Sequence, residues 1–167
     1  MTLTVRTLGP ADHAVWRALR LEALERYPLC FLTRAEEQRA RTEDQDRAML
    51  EAGTWFGAFD GDEMIGQAAL IPVRAEAARH RAEIGAFYIT ESRHGTPAAQ
   101  VLLDTLVDLA RDRGADQLEL FVAQVNPRAI RFYERNGFAR YGTLPRGIIV
   151  DGVTYDDDFM VRFLHHG

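Results

Sequence analysis

FVAQVNPRAIRFYERNGF, residues 121–138, reads as a strand that runs into a short helix. The helix opens at Asn126-Pro127 and closes at Asn136-Gly137, a proline-to-glycine punctuation that marks both of its ends. One turn before that close stands Tyr133. Asn126 and Tyr133 are seven positions apart, so a helix puts them two turns from each other on one side. That spacing presents an amide and a phenol to the same cleft.

Working upstream, Leu118 to Val122 is the strand that feeds this helix. Before it, Thr96 to Gly114 has a helical pattern, with Ala98, Val101, Leu102, Leu106, Leu109 and Ala110 facing inward. Thr96 suits the N-cap, Pro97 the first helical position and Gly114 the stop. Arg81 to Thr90 reads as the strand that enters this crossover. Trp55 to Phe59 and Met64 to Val73 form a hairpin turned at Asp60-Gly61. Towards the N-terminus, Leu3 to Leu8 alternates like a short strand. A helix starts at Pro10-Ala11-Asp12 and carries Val15, Trp16, Leu19, Ala23 and Leu24 as an apolar stripe up to Pro28. A second, more polar helix covers Ala35 to Ala52 and ends at Gly53. Downstream come Phe138 to Thr143 and a closing pair of strands around Asp151-Gly152 that ends in Phe159 to Leu164. These elements make one mixed-sheet α/β domain over residues 1–167, with helices on both faces.

Composition narrows the function classes. An apolar fraction of 47% and a charged fraction of 27% are those of an ordinary soluble domain. The net charge of −5 argues against nucleic acid or an anionic membrane as the main partner. No segment reads as a signal peptide or a membrane span, and the cytoplasm is the expected location. Every basic residue other than histidine is arginine; the chain has no lysine. Cys30 is alone, which excludes a disulfide framework, and a small buried side chain is the plain account of it. The histidines lack metal-ligand spacing, His165-His166 reads as a tail, and no metal is expected.

Glu91 to Ala99 joins a strand to a helix N-terminus. Such a turn is a natural anion site because its amides point outward and the macrodipole favours negative charge, though a capped turn without a ligand fits equally. Tyr133 and Asn126 also carry two readings. They are a ring packed beside Phe132 and Phe138 with a capping asparagine, or a proton donor with a polar companion.

The asparagine-to-GF segment resembles the late motif of the GNAT superfamily of acyl-CoA-dependent N-acyltransferases. The similarity extends over nearly the whole chain. Arg20-Leu21-Glu22-Ala23-Leu24 with Pro28 and Phe31 resembles the first helix of a broad bacterial group in that superfamily, HRAEIGAFY (residues 80–88) its fourth strand, and residues 141–146 and 153–157 its final strands. The resemblance implies a mixed, mostly antiparallel sheet of about six to seven strands flanked by about four helices. It also implies acetyl-CoA as co-substrate and a primary amine, on a small molecule or a peptide, as acceptor.

By the same resemblance Tyr133 protonates the departing thiolate, since a phenol with pKa near 10 is still protonated at neutral pH. Asn126 lies near the pantetheine arm, and the backbone at Tyr88 and Ile89 bonds that arm as an added strand would. The turn binds pyrophosphate through His94, Gly95, Thr96, Ala98 and Ala99. An ungapped match from Ile89 to Leu103 sets His94 where relatives carry arginine and Pro97 where they carry the first patterned glycine. Pro97 has no N–H to give a phosphate, so weaker CoA binding is expected, with Arg93 and His94 compensating in part. Acidic residues on the fourth strand serve as base in some relatives. Glu83 holds that place, on the same nominal face as Phe87 and Ile89 if the strand is unbroken. A solvated or arginine-paired carboxylate is the other reading of Glu83, and His80 is a second candidate base. A homodimer fits the family pattern. The alternative function is a protein that holds acyl-CoA without transferring it.

Overall fold

The computed structural model describes residues 1–164; the His165-His166 pair lies outside the described residues. Seven strands form one sheet: β1 (Leu3–Thr7), β2 (Trp55–Asp60), β3 (Glu63–Pro72), β4 (Arg81–Ile89), β5 (Gln117–Ala123), β6 (Ala139–Val150) and β7 (Val153–Phe163). Their spatial order is β1-β2-β3-β4-β5-β7-β6. Every neighbouring pair is antiparallel except β4 and β5. Among the described residues five α-helices accompany them: α1 (His13–Arg26), α2 (Ala35–Ala40), α3 (Glu43–Glu51), α4 (Ala98–Asp112) and α5 (Pro127–Arg135). The expected mixed sheet with helices on both faces is therefore present, with one helix more than expected.

The two faces are sorted by alternation along the strands. Phe56, Ala58 and Leu70 pack with Leu102, Leu103 and Leu106 of α4. Trp55, Phe59 and Ala69 point the other way, onto Trp16 of α1 and Leu50 of α3. The α1 stripe is Trp16, Leu19, Arg20, Ala23 and Leu24, whereas Val15 is 49% exposed. On α4 the fully buried positions are Ala98, Leu102, Leu103, Leu106, Val107 and Ala110, with Val101 and Leu109 only half-buried.

The span expected as one helix over Ala35 to Ala52 is broken at Arg41-Thr42. Thr42 caps α3 reciprocally: its Oγ1 accepts from the Gln45 amide at 3.2 Å, and Gln45 Oε1 accepts from the Thr42 amide at 2.9 Å. The break brings the fully buried Asp46 carboxylate against Arg17, Arg41 and Gln38, so its charge is neutralised inside. The strand expected over Phe138 to Thr143 runs on as β6 to Val150, where it meets the turn at Asp151-Gly152. Pro145 lies in β6 at an irregularity between Leu144 and Ile148, on an outer strand where a missing N–H costs least.

Candidate active site

The parallel pair β4–β5 is joined through only three register pairs, Arg81–Gln117, Ala82–Leu118 and Glu83–Glu119. Beyond Glu83 the two strands no longer pair, and a cleft of about 600 Å³ opens there. Its walls are Ile84–Ile89, Phe121–Ala123, the turn before α4, one side of α5 and the Cys30–Thr33 segment.

A bulge shapes the β4 wall. Ala86 has φ +51°, and the β3–β4 register slips between Gln67 and Ala69. Ahead of the bulge Ala82 and Ile84 face α4; after it Phe87 and Ile89 do. The extra residue thus inverts the alternation. Glu83 shares the α1 face with Gly85 and Tyr88, and does not share a face with Phe87 and Ile89 as an unbroken strand would require. Glu83 stands behind the cleft wall, with Oε1 4.0 Å from the point a Cβ on Gly85 would occupy. Burial, and then the charge of Glu119, push the Glu83 carboxyl above its usual range. Glu119 itself is held low, first by hydrogen bonding from Arg81. His80 is exposed at the foot of β4, away from the cleft lining.

Tyr133 and Asn126 both line the cleft, as their spacing on α5 predicts. The Tyr133 ring is buried, edge-on to Phe138 at 5.6 Å and to Phe87 at 6.1 Å. Burial alone raises its phenol further, so the hydroxyl stays protonated at neutral pH. Asn126 caps α5, its Oδ1 accepting from the Ala129 amide at 3.2 Å. It also reaches the half-buried thiol of Cys30, whose pKa burial raises and this contact lowers. Cys30 is thus a cleft residue and not simply a packed one.

At the turn, Tyr88, Ile89, His94, Gly95, Thr96 and Ala99 line the cleft, whereas Ala98 is fully buried and does not. Thr96 Oγ1 accepts from the Ala98 amide at 3.3 Å. Pro97 occupies the N-cap position of α4, one place earlier than the sequence suggests. Tyr88 turns its hydroxyl to Glu22 of α1 at 2.7 Å. His94 bridges the Ile89 carbonyl at 2.9 Å and Arg128 at 2.5 Å. A guanidinium can only donate, so Nδ1 accepts from Arg128 and the proton sits on Nε2, which donates to Ile89. The Ile89 carbonyl is therefore already engaged, and a strand-like arm would share it with His94.

Arg93 is committed to Asp60 and Glu63 on the β2–β3 hairpin, at 3.1 and 3.0 Å. Arg128 and Arg135 on α5 line the cleft without a carboxylate partner among the described residues. Sequence reading missed both, and missed Arg20. The signal for Arg20 was available, because positions 16, 19, 20, 23 and 24 make an i, i+3, i+4, i+7, i+8 stripe with an arginine inside it.

Residues 16–138 match the profile of the acetyltransferase (GNAT) family. A mycothiol acetyltransferase of Beutenbergia cavernae is 30% identical over 83% of this chain and 48% of its own length. The chain spans about half the length of the curated relatives it matches. Among solved structures, a GNAT-family acetyltransferase from Streptococcus pneumoniae superposes with a TM-score of 0.85 at 19% identity, covering 98% of this chain and 100% of that one. A putative acetyltransferase from Salmonella typhimurium, solved with acetyl-CoA, gives 0.84 at 21% identity over 100% and 96% of the two chains.

Proposed function

Because the chain belongs to the acetyltransferase (GNAT) family, we propose that it moves an acetyl group from acetyl-CoA to a primary amine by direct attack in a ternary complex. The observation that carries this reading is a buried, protonated phenol in the gap between two splayed parallel strands. In the proposed reaction Glu83, acting through a water because it stands behind the wall, takes the proton from the attacking amine. The C–N bond forms, the C–S bond breaks, and Tyr133 gives its proton to the leaving sulfur. Both side chains recover their starting states from solvent. Cationic Arg128 and Arg135, with His94 and the amides of the turn, would hold the phosphates of CoA.

A second reading is supported by Pro97, which offers no N–H at the phosphate turn: the protein holds acyl-CoA without transferring the acyl group. A CoA-release assay over a panel of small-molecule and peptide amines separates the two. Turnover that drops by about 10²-fold or more in Tyr133→Phe, with acetyl-CoA affinity retained, is the expected outcome. Binding without release on every amine would favour the second reading, and full activity in Tyr133→Phe would remove the phenol from the mechanism.

A further inference from the structure

Arg20 stands apart from the other cleft cations. It is 7% exposed, yet it lines the cleft. Its Nη1 is buried with no hydrogen-bond partner, and no carboxylate pairs with the side chain among the described residues. The guanidinium carbon lies 5.4 Å from the Phe31 ring and 5.5 Å from the Trp55 ring. Such stacking satisfies the faces of the group and leaves its N–H edges free. Burial draws its pKa down to about 10, which still leaves it charged at neutral pH. An unpaired buried cation is costly to keep, and an incoming anion would relieve it.

Its position separates it from the cations proposed to hold the phosphates. His94 sits in the turn before α4, and Arg128 and Arg135 on α5. Arg20 stands on α1, on the opposite face of the sheet, against Trp55, which shares its core cluster with the bulge residue Ala86. Among the described residues no aspartate or glutamate lines the cleft, so none of those residues is built to hold an acceptor through its positive charge alone.

We propose that Arg20 binds a carboxylate carried by the amine acceptor, so that the site selects amino-acid-like amines. The proposal rests on the transferase reading for its acceptor, but its test reads binding, not turnover. The CoA-saturated protein is titrated calorimetrically with the standard amino acids and with their α-carboxamides. At least one acid is expected to bind roughly tenfold or more tighter than its amide, because a charge-assisted pair is lost in the amide. Arg20→Met should erase that preference while CoA affinity and Tm hold, and Arg20→Lys should retain part of it. A panel with no acid-over-amide preference, or a preference that survives Arg20→Met, overturns the proposal. Acid binding without CoA release on any amine would sink the transferase reading and leave the Arg20 assignment standing.

Discussion

Glu83 and Glu119 face each other across the short parallel pairing, and only Glu119 is fully compensated, by Arg81 at 2.5 and 2.8 Å. The Glu119 charge adds to burial in raising the Glu83 carboxyl. A base must be deprotonated to act, so a raised pKa moves the acidic limb of kcat/KM to higher pH. Glu119→Gln removes the repulsion and frees Arg81, and both changes lower the Glu83 pKa. The acidic limb should therefore shift to lower pH. An unmoved limb in a pH–rate profile would take Glu83 out of the base role. Tyr133 and Asn126 could be read from sequence because both lie on one helix, where spacing alone fixes direction. The face of Glu83 could not, since it depends on a single inserted residue further along the strand. Arg20 is hidden by its type, because arginine is mostly an exposed residue and its place inside an apolar stripe does not show in its identity.

At the scale of elements, the bulge at Ala86 is what gives β4 two orientations. A side chain at φ +51° is tolerated when it is a methyl and opposed when the Cβ is branched. Ala86→Val should cost about 1–3 kcal/mol, lowering Tm by roughly 5 °C, and should weaken acetyl-CoA binding by flattening the wall. Ala86→Gly should keep both. Equal Tm and affinity in the two variants would show that the bulge is set elsewhere. The order of elements was legible because proline, glycine and Asp-Gly signals punctuate the chain. The break before α3 was legible in principle from Thr42-x-x-Gln45, but the continuous polar run from Ala35 to Ala52 masked it. The full length of β6 was masked by Pro145.

Over the whole molecule, the charge is distributed against its own average. The chain carries a net −5, yet among the described residues the charged groups that line the cleft are arginines, beside one histidine, with no carboxylate. On the proposed function, an anionic co-substrate would be repelled by the bulk surface and drawn to one opening. Salt screens a long-range attraction, with a Debye length that falls from about 30 Å at 0.01 M to about 8 Å at 0.15 M. Acetyl-CoA should raise Tm, and its association rate should fall several-fold over that range in stopped-flow measurements. A rate independent of salt would show that the cleft cations make contact only after docking.

The three register pairs between β4 and β5 also have a mechanical meaning. The strands β1–β4 and β5–β7 are two half-sheets riveted at one end, and past Glu83 the facing edges of β4 and β5 no longer pair with each other. A guest with amides spaced like a peptide would complete the missing rungs. Occupancy and the closing of the sheet would then be one event, so the seam that looks like the weakest line of the fold is the one a bound guest would reinforce.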